Sequence, residues 1–308
     1  MSRIRLDVGL DVGGSKTHLL GEIASSVEHI ERVGKGGNPN RIGTGAAADV
    51  LVSLIAELLQ EVPDVGRLSI CAGVAGAGRP DEQRALADAL RTAFEASTPS
   101  VHVEVVPDAL IALDAAYDDG SGVVVIAGTG SMGLARTTDG HLIRAGGWGH
   151  VLGDDGSGHA LGRAGLRAVA EAFDGGRETE IQSRIREHFG IDDRDALLQT
   201  VYKDAFDVSS VAPIVVDAAA EGDAVASNLL SAQIERLANQ VEWLLGRGEP
   251  ISPCITLLGG LLQNDHYAQC LRRALTGRLP DWAVERLPDE PVVGALRRAR
   301  RLQPDPSA

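Results

Sequence analysis

The fold is indicated first by the stretch IRLDVGLDVGGSKTHLLGEI at residues 4–23. Its apolar residues predict a strand over 4–12, the glycine pair predicts a tight turn, and a second strand returns over 17–23. The same order of strand, glycine turn and strand recurs at 122–137, in the segment GVVVIAGTGSMGLART. We interpret this recurrence as an internal repeat that marks two related domains.

The remaining pattern supports two domains of the α/β class. A chain of 308 residues exceeds the usual size of one hydrophobic core. The pattern also predicts a weak strand near 27–33 and a strand over 255–260. Helices are predicted over 44–61, with Thr44 as N-cap, and over 108–117. A final helix over about 292–302 should be followed by a disordered polar tail. Strands precede helices in each half, which predicts mixed sheets and a cleft between the domains.

Composition excludes several classes of function. The net charge of −14 disfavours nucleic acid and anionic membranes as partners, because both would repel the surface. Three widely spaced cysteines argue against a disulfide framework, a zinc knuckle or a cluster held within one chain. No signal peptide and no run of 18 apolar residues is evident, so a soluble, cytoplasmic protein is expected.

The first glycine turn resembles a P-loop but departs from it. Gly9 and Gly14 have the right spacing, yet Ser15 precedes Lys16, and a strand follows where a P-loop needs a helix. A hairpin turn can still bind phosphate, because glycines let backbone N–H groups approach the anion. Asp11, at the end of the first strand, can hold Mg²⁺ through water. The alternative is an ordinary turn beside a solvated carboxylate.

A second glycine turn, Gly128-Thr129-Gly130-Ser131, makes the first more informative. Two such turns, one in each half, would hold a polyphosphate from both sides of a cleft through backbone amides and hydroxyls. Gly259 and Gly260 follow the strand ITLL, where small residues let a flat purine lie against the backbone. Taken alone, an ordinary turn from strand to helix is the favoured interpretation of these two glycines.

Asp108 follows an apolar strand and opens a helix in the segment VVPDALIAL. An N-cap role is the stronger interpretation, because aspartate is a favoured N-cap residue. The functional alternative is a general base that accepts a proton from a substrate hydroxyl during phosphoryl transfer. One residue can serve both roles.

The segment GGWGHVLGDDGSG at 146–158 contains six glycines, an entropic cost that suggests a function. Trp148 can pack against a sugar ring or an acyl group, with a core anchor for the loop as an equal alternative. Asp154 and Asp155 can bind sugar hydroxyls or a magnesium-bound water, the alternative being solvated turn carboxylates. Ser157 is predicted to cap the following helix.

Together these segments resemble the BadF/BadG/BcrA/BcrD-type ATPase family, and within it the N-acetylglucosamine kinases. The resemblance extends over about 6–300 and rests on seven motifs: DVGGSKT at 11–17, GGNPN at 36–40, VAGAGR at 74–79, PDA at 107–109, GTGS at 128–131, GGWGHVLGDDGSG at 146–158 and LLGG at 257–260. It implies an actin-like fold of two ribonuclease-H-like domains, 1–118 and 119–291, with helix 292–302 packing back on the first.

The resemblance also implies roles for particular residues. Asp11 would serve Mg²⁺, and Asp108 would be the base. The phosphates of ATP would lie at Gly13, Gly14, Ser15, Lys16, Thr17, Gly128, Thr129, Gly130 and Ser131, with Gly259 and Gly260 near adenosine. The sugar-binding group would be Asn38, Asp108, Trp148, Asp154, Asp155 and Ser157.

Two departures from the family pattern affect the expected substrate. The family usually has Glu where Asp155 stands, and the sugar-contacting serine of the animal enzymes is replaced near Ala75. Activator ATPases of the family need cysteines at a glycine-rich site, and Cys71, Cys254 and Cys270 do not supply them. The zinc-binding cysteine motif of the other bacterial sugar-kinase family is also missing from the sequence.

The sequence therefore predicts transfer of the γ-phosphoryl group of ATP to the 6-hydroxyl of N-acetylglucosamine. The alternatives are a glucosamine kinase, a nucleotide-dependent activator or regulatory ATPase without sugar turnover, and a catalytically silent sugar sensor. Trp148 weakly favours an acetamido group over a free amine. Homodimers are common among such enzymes by resemblance, but no segment identifies an interface.

Overall fold

The computed structural model describes residues 4–24, 29–203, 206–287 and 290–302. Their contacts divide them into two compact units. The first unit comprises the described residues of Met1–Gly120 and Leu287–Ala308, and the second comprises those of Ser121–Arg286. The tail that the sequence predicts to be disordered, and residues 27 and 28 of the predicted third strand, lie outside the described residues.

Each unit contains one five-stranded mixed sheet. The strands of the first sheet are β1 (Ile4–Val12), β2 (Lys16–Ile23), β3 (His29–Lys35), β4 (Val65–Val74) and β5 (Ser100–Pro107). Those of the second are β6 (Gly122–Ala127), β7 (Ser131–Arg136), β8 (Leu142–Gly146), β9 (Cys254–Leu258) and β10 (Ala283–Arg286). The sheet orders are β3-β2-β1-β4-β5 and β10-β9-β6-β7-β8.

The two orders are the same when one is read backwards. In both sheets the first two pairings of the chain are antiparallel, and the fourth strand returns parallel to the first. The repeat predicted at 6–23 and 122–137 is therefore confirmed, together with the α/β class.

The helices of the first unit are α1 (Pro39–Ile42), α2 (Thr44–Glu61), α3 (Pro80–Glu95), α4 (Asp108–Tyr117) and α11 (Pro291–Arg301). Those of the second are α5 (Gly158–Phe173), α6 (Glu180–Phe189), α7 (Arg194–Lys203), α8 (Ala212–Ala220), α9 (Ala224–Leu245) and α10 (Asp265–Arg278). Short 3₁₀ turns occupy Val208–Val211 and Gly260–Gln263. In the described part of the chain, none of the helices has the length and apolar character needed to cross a membrane.

Alternation along β1 explains how both faces of the first sheet are covered. Leu6, Val8 and Leu10 are fully buried in a core that includes residues of α2 and α3. On the opposite face a Cβ at Gly9 would lie 2.4 Å from the backbone nitrogen of Leu296, so α11 packs directly against the strand. The final helix thus belongs to the first unit and lies beside the strand that carries Asp11.

Two predicted helix caps are wrong. Gly43, and not Thr44, occupies the N-cap position of α2. The N-cap of α4 is Pro107, and Asp108 is the first helical residue. The carboxylate of Asp108 accepts a hydrogen bond from the adjacent N–H of Ala109 at 2.9 Å, which is one residue too early for the usual side-chain cap.

Candidate active site

The first glycine turn is held by a neighbouring loop. The N–H of Gly13 donates to the carbonyl of Lys16 at 2.9 Å, which leaves Gly14 and Ser15 exposed at the tip. The N–H of Gly36 donates to the carbonyl of Ser15 at 3.1 Å. A Cβ at Gly36 would lie 2.3 Å from the carbonyl oxygen of Gly14, so only glycine permits this contact. The turn is therefore a fixed feature with an open tip.

Thr17 lies at the base of this turn and is fully buried. Its hydroxyl donates to the carbonyl of Lys35 at 2.7 Å. Among the residues predicted to bind phosphate in the first unit, Thr17 thus has a hydroxyl already engaged, while Lys16 is exposed.

Two carboxylates lie at one edge of the first sheet. Asp11 is near the end of β1, and Asp108 follows directly after β5. β1, β4 and β5 are parallel, so their carboxyl ends meet at this edge. Burial raises the pKa of Asp11 to about 6, and the charge of Asp108 adds to the increase. Burial also raises the pKa of Asp108, against the lowering effect of the hydrogen bond from Ala109.

This electrostatic arrangement fits a magnesium ion. Two partly buried carboxylates that repel each other are stabilised by a divalent cation, and carboxylate oxygens are ligands that Mg²⁺ prefers. Neighbouring His18 and Lys16 lower the pKa of Asp11 and so oppose part of the increase caused by burial. Asp11 is the residue predicted to hold the ion.

Asn38 lies beside the turn that follows β4. Its side-chain oxygen accepts a hydrogen bond from the N–H of Asn40 at 2.9 Å, and the amide of Asn40 donates to the carbonyl of Gly76 at 3.2 Å. Gly76 has a positive φ of 89°, and a Cβ there would lie 2.4 Å from the side-chain oxygen of Asn38. The motifs GGNPN and VAGAGR therefore form one local structure.

The second glycine turn is shorter and is held by the start of α5. The N–H of Gly128 donates to the carbonyl of Gly130 at 2.9 Å. The N–H groups of Gly158 and His159 donate to the carbonyls of Gly128 and Thr129 at 2.7 and 3.1 Å. The turn is thus tied to the beginning of a helix within the same unit.

Gly259 and Gly260 lie next to this second turn. Gly259 has a φ of 119°, and a Cβ there would lie 2.3 Å from the carbonyl oxygen of Ala127. A Cβ at Gly128 would have the backbone nitrogen of Gly260 as its nearest neighbour, at 3.8 Å, and one at Gly260 would meet nothing within 4 Å. The glycines predicted to bind ATP in this unit therefore form one group with open space beside it.

The side chain of Asp154 packs against the second turn. It is 8% exposed and has a positive φ of 60°, a conformation that aspartate tolerates better than most residues. Burial raises the pKa of Asp154, although N–H groups of Ser131 and Gly149 donate to the carboxylate and oppose this increase. A Cβ at Gly130 would lie 2.9 Å from a carboxylate oxygen of Asp154. The carboxylate therefore lies against the turn.

Asp155 and Ser157 make contacts within the protein. A carboxylate oxygen of Asp155 lies 3.3 Å from the guanidinium of Arg236, and the other lies 3.3 Å from the amide nitrogen of Gln240. The hydroxyl of Ser157 accepts a hydrogen bond from the N–H of Ala160 at 3.1 Å, which confirms the predicted cap of α5.

Trp148 is 66% exposed, so its interpretation as a core anchor is wrong. The guanidinium carbon of Arg144 lies 6.0 Å from the centre of its ring, at the limit of a cation–π contact. Val151 and Leu152 are also exposed, at 76% and 79%. The loop therefore presents apolar surface to solvent instead of burying it.

The sequence did not identify two residues that are distant in the chain and hydrogen-bond to the glycine-dense loop. The hydroxyl of Tyr267 donates to the carbonyl of Gly156 at 2.6 Å, and the N–H of Gly156 donates to the side chain of Gln233 at 2.9 Å. These partners are separated from Gly156 by 111 and 77 positions. No local sequence signal identifies contacts of this kind.

Comparison with solved structures shows the class of fold. A candidate N-acetylglucosamine kinase of Chromobacterium violaceum superposes with a TM-score of 0.76 at 24% identity, covering 95% of this chain and 98% of that one. A glucokinase of the ROK family from Streptomyces griseus, in complex with glucose and AMPPNP, gives a TM-score of 0.56 at 16% identity, covering 96% and 98%. The predicted actin-like, two-domain α/β fold is confirmed.

The chain belongs to the BadF/BadG/BcrA/BcrD ATPase family, whose model matches residues 8–296. A relative in Clostridium acetobutylicum, an N-acetylmuramic acid/N-acetylglucosamine kinase, is 28% identical over 312 residues, which cover 95% of this chain and 97% of the relative. The predicted family resemblance is therefore confirmed.

Proposed function

We propose that this protein is an ATP-dependent kinase that phosphorylates an amino sugar, N-acetylglucosamine, at its 6-hydroxyl. The observation that carries the proposal is the pair Asp11 and Asp108 beside the first glycine turn, both with a pKa raised by burial. Phosphoryl transfer needs groups that neutralise phosphate charge and one group that takes a proton from the attacking hydroxyl. Membership of an ATPase family and similarity to sugar kinases support the same assignment.

Asp108 is the proposed general base. Its carboxylate accepts the proton of the sugar hydroxyl while that oxygen forms a bond to the γ-phosphorus. The bond from the γ-phosphorus to the bridging oxygen breaks, and ADP leaves with the electron pair. A raised pKa strengthens a carboxylate as a base, because it increases the driving force for accepting the proton.

The second requirement is a set of groups that neutralise the negative charge of the phosphates. Asp11 would hold Mg²⁺ through water, and the ion would supply positive charge that offsets the phosphate oxygens. The exposed tip formed by Gly14 and Ser15, with the neighbouring Lys16, would contribute N–H groups and one ammonium. Gly13, whose N–H donates to the carbonyl of Lys16, would shape the turn. In the second turn Thr129 and Gly130 would contribute further donors, while Gly128 and Ser131, whose N–H groups are engaged within the protein, would shape the turn. Gly259 with Gly260 would leave room for adenosine.

The sugar is assigned to Asn38, Asp108, Trp148, Asp154 and Asp155, with Ser157 acting through the cap that fixes the start of α5. An exposed indole can pack on the apolar face of a sugar or on an acetamido methyl group. The contacts of Asp155 with Arg236 and Gln240 support an orienting role for this carboxylate.

The proposal extends to the setting in which the reaction occurs. The domains that carry it are 1–118 with helix 292–302, and 119–291. ATP is an intracellular substrate, so the reaction is placed in the cytoplasm. Homodimer formation stays a prediction that light scattering of the purified protein checks.

Turnover with a panel of sugars tests the proposal. ADP release would be measured with ATP, Mg²⁺ and N-acetylglucosamine, N-acetylmuramic acid, glucosamine, N-acetylmannosamine, glucose or no sugar. N-acetylmuramic acid is included because the Clostridium acetobutylicum relative carries that activity in its name. We expect the strongest stimulation with N-acetylglucosamine, and ³¹P NMR of the product should show a phosphate on O6.

Other results separate the alternatives. A preference for glucosamine would overturn the assignment of the acetamido contact and leave the kinase chemistry intact. ATP hydrolysis that no sugar stimulates would favour the activator or regulatory ATPase, and nucleotide binding without turnover would favour a sensor.

A further inference from the structure

His18 has an unusual environment for a histidine of β2. It lies opposite Asp11 in the antiparallel register and is 8% exposed. Its Nδ1 is 2.8 Å from a carboxylate oxygen of Glu290, which directly precedes α11. Its Nε2 is 2.7 Å from a carboxylate oxygen of Glu31 on β3. Three separate segments of the first unit therefore bring one imidazole and two carboxylates together.

The contact at Nε2 lacks the direction of a hydrogen bond. This nitrogen is buried and makes no hydrogen bond with any residue in the described ranges, although the oxygen of Glu31 is so near. A buried polar atom without a partner is uncommon and needs an explanation. A buried imidazole nitrogen without a hydrogen bond, with a carboxylate oxygen beside it, can act as a metal ligand together with that oxygen.

We propose that His18, Glu31 and Glu290 bind one divalent first-row transition-metal ion. One donor atom from each residue can be chosen such that all three lie within 4.8 Å of one another. Ions such as Zn²⁺ bind imidazole nitrogen and carboxylate oxygen at roughly 2.0–2.2 Å, so the two exposed glutamate side chains would rotate to bring one oxygen each to an ion held by a single imidazole nitrogen. The imidazole distinguishes this site from one suited to Mg²⁺, which prefers oxygen ligands.

The exposure of the two carboxylates fits this role. The side chains of Glu31 and Glu290 are 62% and 66% exposed, which gives an ion a path from solvent and gives both glutamates freedom to rotate. The buried imidazole is the fixed ligand. Water would complete the coordination on the solvent side, as is usual for sites with three protein ligands.

Such an ion would fasten α11 to the edge of the first sheet. Glu290 occupies the N-cap position of α11, while His18 and Glu31 belong to adjacent strands. Because the three ligands converge only in the folded chain, the ion would bind the folded state and raise Tm. The inference does not rest on the proposed kinase reaction.

The alternative is an imidazolium paired with both carboxylates and no metal ion. Binding experiments on the full-length protein distinguish the two. The protein would be treated with a chelator, dialysed and kept free of nucleotide, with Mg²⁺ in excess to occupy Asp11. Zn²⁺ binding would be measured by calorimetry, and Co²⁺ would be added in parallel because its visible absorption reports coordination.

Glu31→Gln and Glu290→Gln each remove one ligand while keeping the size of the side chain. We expect wild type to bind one Zn²⁺ and each variant to bind it about 10-fold more weakly or worse. Zn²⁺ should raise the Tm of wild type and have a smaller effect on both variants. Circular dichroism without metal would show that the variants are folded.

Two controls exclude other metal ligands. His29 contacts the single carboxylate of Glu22 at 2.8 Å. His29→Gln therefore tests whether an exposed pair of one histidine and one glutamate is enough to bind Zn²⁺. The sulfur of Cys270 lies 3.9 Å from Nε2 of His266, so Cys270→Ser removes a competing soft ligand. Both control variants should bind Zn²⁺ as wild type does. Absence of one-site binding in wild type, or wild-type affinity for Zn²⁺ in both glutamine variants, would overturn the proposal in favour of the ion-paired imidazolium.

Discussion

The turn after β1 and the turn after β6 occupy equivalent places in two sheets of the same strand order. The first turn has a two-residue tip, Gly14-Ser15, whereas the second has Thr129 alone between the paired residues Gly128 and Gly130. Two positions before the first turn stands Asp11, and the equivalent position before the second is the apolar Ile126. The two turns therefore share a scaffold and differ in tip length and in the residue that precedes them.

The difference extends to the acidic residues of each unit. In the first unit Asp11 and Asp108 lie at the sheet edge, where burial and mutual repulsion raise the pKa of Asp11. In the second unit Asp154 accepts hydrogen bonds from backbone N–H groups and supports the turn itself. The raised pKa of Asp11 thus reflects burial beside a second charge, whereas burial of Asp154 is offset in part by backbone N–H groups, and the roles of both carboxylates in the reaction stay predictions.

The largest effect should follow loss of the proposed base. Asp108→Asn should lower kcat by roughly 10²- to 10⁴-fold, the usual contribution of a general base, with little change in fold. Steady-state ADP release would measure the loss. Asp119→Asn is the matched control and should keep full activity, because Asp119 is exposed and lies two residues beyond the end of α4. Near-full activity in a folded Asp108→Asn protein would show that Asp108 is not the base, and the first unit would then lose its proposed proton acceptor.

Of the two glycines beside the second turn, Gly259 should not tolerate a larger side chain, whereas Gly260 should. Gly259→Ala places a Cβ against the carbonyl of Ala127 and keeps a φ that only glycine adopts easily, so it should reduce the unfolding free energy by roughly 2–4 kcal/mol. Gly260→Ala meets nothing within 4 Å and should change it by less than about 1 kcal/mol. Denaturant unfolding would compare them. Equal stability of the two variants would show that the close approach to Ala127 is unimportant.

In the absence of ligands, ionisation of Asp11 should lower the free energy of unfolding. Its pKa is about 6 in the folded protein, against the ordinary value of 3.8 for an aspartate side chain. The cost is absent below pH 3.8, where both states are protonated, and grows as pH rises to 6. Asp11→Asn should therefore stabilise the metal-free protein above pH 6 by roughly 1–3 kcal/mol, allowing for partial screening by solvent.

Unfolding by denaturant at several pH values would measure this gain, with Asp119→Asn as the control. The gain should shrink toward pH 4, and kcat/KM of wild type should fall as pH drops through about 6. A stability difference that does not change with pH would mean that ionisation of Asp11 is not the source.

The smallest effect should come from the exposed indole of the second unit. Trp148→Ala should raise KM for N-acetylglucosamine about 10-fold through lost apolar contact, and should change the unfolding free energy by no more than about 0.5 kcal/mol. Trp243→Ala is the matched control, because this tryptophan is also exposed, at 67%. If both variants shift KM equally, the effect is not specific to the glycine-dense loop.

Local patterns predicted most strands and helices, and long-range pairing explains the misses. Helix α4 has the predicted limits of 108 and 117. β8 and β10 were missed, because LIRAG and AVER are short, carry exposed residues and are stabilised only by neighbours in the sheet. The strand predicted over 255–260 ends at Leu258, where Gly259 adopts a conformation outside the strand region.

The sequence by itself determined the two glycine turns, the order of the elements and the membership of a family. Glycine spacing and apolar alternation act through local backbone freedom and side-chain direction, which neighbouring residues already specify. Only the tertiary structure decided which carboxylates have a raised pKa, that Trp148 is exposed, and that His18 meets Glu31 and Glu290. Burial and charge depend on segments that are distant in the chain and become neighbours only when the sheets form.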